Sequence, residues 1–246
     1  MTAKTHPTPE HRRCIAVLGG SFDPVHNGHV ALANYFVTLL HPDQLRVIPA
    51  GNPWQKHGLE ASSADRVEMV KRAFGVVNTV VNAQQTVEVM IDQQEIQRHT
   101  ATYTIDTLKA LRSELGPDTS IIFLMGADQL LHLNTWQGWD ELFAYAHLGV
   151  ASRPGFAMDA DQVPPEVKRE FTRRAATPEQ IRQSAHGLTY LAENLFIDIS
   201  STEIRTALRN TSSNTSGSES GSTQKPDALI PKAVLDYIEL HHLYKN

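Results

Sequence analysis

The sequence predicts an α/β fold, doubly wound, in which a mainly parallel sheet carries helices on both faces. Three observations predict it. Short apolar runs, several of them β-branched, recur along the chain. Segments with apolar residues at helical spacing separate them. Glycine or proline then closes many of these elements.

The elements follow in order. Residues 14–18 form an apolar run ending in Gly19-Gly20, a buried strand followed by a tight turn. Across 28–40, Val30, Ala33, Phe36, Val37 and Leu40 mark a helix that Pro42 closes. A strand over 45–48 stops at Pro49, and 64–74 is helical with Asp65 and Arg66 near its start. Of the β-branched runs at 76–81 and 86–90, one or both are strands. A helix over 103–115 ends at Gly116-Pro117-Asp118, and 121–125 is the most strand-like segment, again followed by glycine. Next come a strand over 148–151, a charged helix over 163–185 and strands over 188–191 and 196–199. Helices over 201–208 and 231–240 complete the chain. Residues 1–12 read as a disordered leader and 13–246 as one domain. The Ser/Thr/Gly/Asn-rich stretch 210–227 has too few apolar groups to offset ordering entropy, which predicts a mobile loop.

Bulk properties narrow the function classes. With 246 residues and 41% hydrophobic composition the chain can bury one sizeable core. A formal charge of −5 and a pI near 6.2 leave no broad basic surface for duplex nucleic acid. A small polyanion remains possible, because it needs only a local cluster of donors. Cys14 is the only cysteine, which excludes an intramolecular disulfide and a cysteine zinc site. No apolar stretch approaches bilayer length, and the polar N-terminus lacks the hydrophobic segment of a signal peptide. The expectation is a soluble cytoplasmic protein without membrane or nucleic-acid partners.

Two motifs carry the chemistry. In an open parallel sheet ligands bind beyond the carboxyl ends of the strands. Gly19 and Gly20 lie at such an end, where a missing Cβ lets a polyphosphate approach the backbone. The helix starting near Asn27 or Gly28 offers unpaired N–H groups and a positive dipole end. His26 and His29, three apart, can present both rings to one side. They lack the spacing and intervening Glu of a metalloprotease helix, and the glycines match neither a dinucleotide fingerprint nor a P-loop. Two ordinary surface histidines are the plainer alternative for the pair alone. The second motif is Ile199-Ser200-Ser201-Thr202-Glu203-Ile204-Arg205. Ser200 and Glu203 fit a capping box, which merely starts a helix. Arg205, one turn in, adds a guanidinium suited to phosphate oxygens.

These motifs resemble the HxGH nucleotidyltransferase superfamily, which implies its Rossmann-like fold. The resemblance assigns His26, His29 and Arg205 to the ATP phosphates as the catalytic set. It places Gly19, Gly20, Ser21, Phe22 and Gly28, with Ser200, Ser201 and Thr202, in the ATP site. Further segments resemble the bacterial nicotinate-nucleotide adenylyltransferases: 20–26, Thr102-Tyr103-Thr104, Met125-Gly126-Ala127-Asp128, Thr135-Trp136 and Arg153-Pro154-Gly155. They imply Gly126 and Asp128 on the adenosine side, with Lys56, Tyr103, Thr104, Trp136 and Arg153 on the acceptor side. Trp136 would stack on the pyridine ring and the amides near Thr104 would hold its carboxylate. By themselves Trp136 reads as a partly buried aromatic, and Thr104 and Asp128 as helix caps. The chain departs from the family at Pro53-Trp54-Gln55-Lys56, where Pro-Pro-His-Lys is common, and at Gln137, where an aromatic often stands.

The implied reaction is AMP transfer from ATP to nicotinate mononucleotide, giving deamido-NAD and pyrophosphate in NAD biosynthesis. The expected cofactor is Mg2+, held mainly by ATP phosphates, with no metal cage in the chain. The alternatives are nicotinamide mononucleotide or phosphopantetheine as acceptor, or a non-catalytic nucleotide sensor on the same fold.

Overall fold

A computed structural model describes residues 12–53, 58–75, 79–82, 85–98, 100–152, 158, 162–192, 199–213 and 226–245. The described strands are β1 (Cys14–Gly20), β2 (Gln44–Pro49), β3 (Thr79–Asn82), β4 (Gln85–Ile91), β5 (Ser120–Gly126), β6 (His147–Ala151) and β7 (Thr189–Ala192). They form one sheet in the order β3-β4-β2-β1-β5-β6-β7. Every pairing is parallel except β3 with β4. The chain winds outward from β1 through β2 and β4, then returns to the other side of β1 with β5. This reversal leaves a crevice at the carboxyl ends of β1 and β5, where a doubly wound sheet binds ligands.

Alternation along β1 shows why the sheet is covered on both faces. Cys14, Ala16 and Leu18 enter one buried cluster, while Ile15 and Val17 enter another. On the first face lie α1 (Asn27–Leu40), α2 (Ser63–Phe74), α5 (Pro178–Gln183), α6 (Ser201–Ser213), α7 (Pro226–Leu229) and α8 (Lys232–Leu240). The second face carries α3 (Thr104–Leu115), α4 (Pro165–Arg174) and three short 3₁₀ turns. Helix α1 buries Leu32, Ala33, Phe36, Val37 and Leu40, a single stripe at helical spacing. It ends where His41 turns left-handed, just before Pro42. Helix α2 starts at Ser62, whose hydroxyl accepts the Asp65 N–H at 3.1 Å.

Several expectations are corrected. Residues 163–185 are not one helix, because α4 stops at Arg174 and α5 begins at Pro178. Pro178 cannot donate to a preceding turn and biases Thr177 toward extended backbone, and Thr177 then caps α5 by accepting the Gln180 N–H. Residues 210–213 finish α6 and 226–227 open α7, so the expected loop does not extend over them; 214–225 lie outside the described residues. Ile199 is not in a strand, and 196–198, like the leader 1–11, lie outside the description. Between β5 and β6 the chain forms 3₁₀ turns at Ala127–Leu131, Leu133–Thr135 and Trp139–Ala144, which the sequence pattern did not predict. They carry Asp128 and seat Trp136.

The amino-terminal edge of the sheet holds a buried titrating group. His147 at the start of β6 is fully buried. Its Nδ1 accepts the Leu188 N–H at 3.1 Å, so Nε2 carries the proton and donates to the Ser184 carbonyl at 3.0 Å. Burial pushes its pKa down from 6.5 to about 4. The unfolded chain therefore binds the extra proton between these values, and stability falls as pH drops through that window. The expected loss is roughly 3 kcal/mol from pH 6.5 to 4. Urea unfolding against pH measures it, and a slope unchanged in His147→Asn would refute it.

Candidate active site

A cavity of about 400 Å³ opens at the carboxyl ends of β1 and β5. Gly19, Gly20, Ser21, His26, Gly28 and His29 line one wall. Ser200, Ser201 and Thr202, at the start of α6, line another. Gly126, the last residue of β5, and Asp128 line a third side, and Tyr103, Thr104 and Trp136 stand at the remaining end. The crossover topology thus gathers residues far apart in the chain. Lys56 and Arg153 lie outside the described residues.

The first wall is built around the two histidines. Their rings stack at 3.7 Å between centroids with an interplanar angle of 28°. His26 is the N-cap of α1, and its N–H donates to His29 Nδ1 at 3.2 Å. The two residues occupy the capping-box positions usually held by a hydroxyl residue and a glutamate. With Nδ1 accepting, the proton of a neutral His29 ring resides on Nε2, making that atom a hydrogen-bond donor at the cavity wall. Phe22 is placed differently from expectation. Its side chain is fully buried and absent from the wall, standing edge-on to His29 at 4.9 Å. Its ring packs behind the histidine.

The second wall couples directly to the first. Ser200 Oγ accepts the Glu203 N–H at 3.2 Å, the cap expected from the motif. Ser201 Oγ donates to the Pro24 carbonyl at 3.1 Å, fastening α6 to the turn before His26. Arg205 also departs from expectation, since its side chain is not at the wall. Nη1 donates to the Asp23 carbonyl at 2.7 Å and Nε pairs with Glu60 at 2.8 Å. In this structure Arg205 braces the junction of the two motifs.

Two buried ionic residues behind the wall were not singled out as site residues. Arg66 is 1% exposed. Its Nη1 donates to the carbonyls of Ser21 and Ala50 at 2.8 and 2.7 Å, and Nη2 reaches Gly51 at 3.4 Å. It thereby ties the loop after β1 to the loop after β2. Burial lowers its pKa, opposed by the nearby Asp23 carboxylate. Asp23, 2% exposed, accepts the N–H groups of Glu60 at 2.9 Å and Ala61 at 3.1 Å. The available signal for Arg66 was its place in the apolar stripe of α2, beside Val67, Met69 and Val70. A cation in such a stripe requires polar partners.

The far end is suited to a planar ring with a polar substituent. Trp136 stands edge-on to Phe123 at 6.4 Å, and its buried indole N–H has no hydrogen-bond partner among the described residues. No side chain caps the first turn of α3, where the Tyr103 carbonyl accepts the Asp106 N–H at 3.1 Å. Thr104 is the first helical residue, not the cap. Gly126 is the N-cap of its 3₁₀ turn and Asp128 lies within that turn. Glu95 also lines this end, accepting the Thr107 hydroxyl at 2.7 Å, and burial pushes its carboxyl pKa up. Gly51 leaves room for this loop, because a Cβ there would stand 1.9 Å from the Glu95 carbonyl oxygen.

Comparison with known proteins bears on the family and the fold. Residues 17–207 match the model of the cytidylyltransferase-like family. A protein of Herminiimonas arsenicoxydans, named as a probable nicotinate-nucleotide adenylyltransferase, is 63% identical over 95% of this chain and 98% of its own length. A protein of the same name from Chromobacterium violaceum is 37% identical over 94% of this chain and 98% of its own. Among solved structures, the nicotinic acid mononucleotide adenylyltransferase of Plasmodium falciparum complexed with NaAD superposes with a TM-score of 0.64. At 18% identity, covering 95% of this chain and 98% of that one, it speaks for the fold alone.

Proposed function

This chain belongs to the nicotinate-nucleotide adenylyltransferase family, and we propose on that premise that it transfers AMP from ATP to nicotinate mononucleotide, giving deamido-NAD and pyrophosphate. The observation that carries the reaction is the single cavity jointly lined by the histidine turn, the α6 start and the Trp136 end. One end suits a polyphosphate and the other an aromatic ring.

The chemistry asks little of acid–base groups. A phosphate oxygen of the acceptor nucleotide attacks the α-phosphorus of ATP, forming one P–O bond while the bond to pyrophosphate breaks. That nucleophile is already anionic, so no general base is needed. Catalysis then rests on in-line positioning and on stabilising charge at the α-phosphate and leaving group. In this scheme His26, His29 and the first-turn N–H groups of α1 and α6 donate to phosphate oxygens. Arg205 contributes its positive charge from the junction behind them. Gly126 and Asp128 border the adenosine, and Lys56 and Arg153 serve the acceptor side. Mg2+ would be held mainly through the ATP phosphates rather than by side chains of this chain, and would supply charge neutralisation there.

The decisive experiment is pyrophosphate release with ATP and each acceptor in turn: nicotinate mononucleotide, nicotinamide mononucleotide and phosphopantetheine. Release with the first and little with the others is expected. Preference for another acceptor would reassign the far end of the cavity, and no release with any would favour a nucleotide sensor. A narrower result concerns the ring site. Trp136→Ala is expected to raise KM for the pyridine nucleotide about tenfold, the equivalent of losing one stacking contact. ATP affinity should stay unchanged, and equal loss of both affinities would count against stacking.

A further inference from the structure

The buried Asp23 carboxylate has a partner at the opposite end of the chain. Tyr244, in the turn that follows α8, donates its hydroxyl to Asp23 Oδ1 at 2.7 Å. The pair is separated by 221 positions in sequence and both side chains are buried. With the Glu60 and Ala61 N–H groups, this hydroxyl completes the donors that hold the carboxylate. A short O–H bond to a buried carboxylate is among the stronger hydrogen bonds a protein makes.

Asp23 joins the two motifs of the phosphate site. Its carbonyl accepts Arg205 Nη1, and the next carbonyl, of Pro24, accepts Ser201 Oγ. Ser21 and His26, on either side of it in sequence, line the cavity. The carboxylate therefore anchors a turn on which both walls depend. The chain also accepts strain to bring the tyrosine there. His242 at φ 53° and Tyr244 at φ 62° are both left-handed without being glycine. Such residues persist only where surrounding contacts over-determine them.

We propose that Tyr244 is a positioning residue for ATP binding: its hydroxyl fixes the Asp23-Pro24 turn, and through it the spacing of the histidine wall and the Arg205 brace. The proposal rests on the ATP half of the function above, and not on which acceptor is used. Tyr244 itself is absent from the cavity wall and touches no reacting atom.

The test is affinity for a non-hydrolysable ATP analogue, measured by calorimetry on the full chain. Tyr244→Phe keeps the ring and removes only the donor, so it is expected to bind the analogue about tenfold more weakly. KM for nicotinate mononucleotide should stay unchanged. Leu243→Ala removes packing from the same turn without touching the hydrogen bond. It should lower the melting temperature and leave analogue affinity intact. Tyr244→Phe binding within about twofold of wild type would overturn the proposal, as would equal weakening in Leu243→Ala. Wild-type protein that fails to bind the analogue would overturn this role and the proposed function together. Analogue binding without pyrophosphate release would overturn only the proposed function.

Discussion

Replacing His29 with alanine is expected to lower turnover on the order of 10²–10³-fold, the usual effect of losing one preorganised donor to a transition state. The structure sharpens the reason. His29 is held by Phe22 at its edge, by stacking on His26 and by the His26 N–H at Nδ1. Those contacts fix the ring plane and leave Nε2 as the donor, so no reorganisation is needed when charge develops. Alanine removes the donor and also the acceptor for the N-cap N–H. A His29→Asn variant should therefore recover part of the stability lost without recovering the rate. Steady-state pyrophosphate release, with folding checked by circular dichroism, decides the matter. Near-normal turnover in folded His29→Ala would remove it from the catalytic set.

Arg66→Met should have the largest effect on the fold around the site. The substitution keeps length and apolar surface but strips the donors from the Ser21 and Ala50 carbonyls. It also removes the nearby positive charge that offsets buried Asp23. Removing one member of a buried ionic set costs about 3–5 kcal/mol, because the remaining charge and acceptors stay buried. Urea unfolding should show that loss, and kcat/KM for ATP should fall with it. Arg66→Lys keeps the charge but is shorter and lacks the second nitrogen that reaches Gly51, so it should fall between. An unfolding free energy for Arg66→Met within about 1 kcal/mol of wild type would show that the guanidinium carries little of the loop geometry.

The contrast between these residues shows what was legible. His29 belongs to a local pattern of strand, two glycines and a helix start that the sequence shows directly, and the resemblance to a known family supplied its expected role. Ser200 is local too, found capping α6 as its spacing with Glu203 suggested. Phe22 sits inside that pattern yet turned inward, because the left-handed backbone at φ 49° directs its ring beneath His29. No spacing rule distinguishes a motif residue that touches the ligand from one that supports it. Arg205 likewise matched its motif, but its pairing with Glu60 and Asp23 depends on loops distant in sequence.

Periodicity and punctuation were sufficient for the α/β class and the alternation of strands and helices, and the two motifs for expecting a phosphate site at residues 19–29 and 199–205. These are local properties, set by propensity and by spacing along one element. Only the folded chain decided the order of strands that opens the crevice beside β1, the split of the 163–185 helix, and the 3₁₀ turns that seat Trp136. It alone decided that Arg66 and Tyr244 converge on the loop after β1. Those outcomes depend on contacts between residues far apart in sequence, whose energies arise only when the sheet brings them together and excludes water.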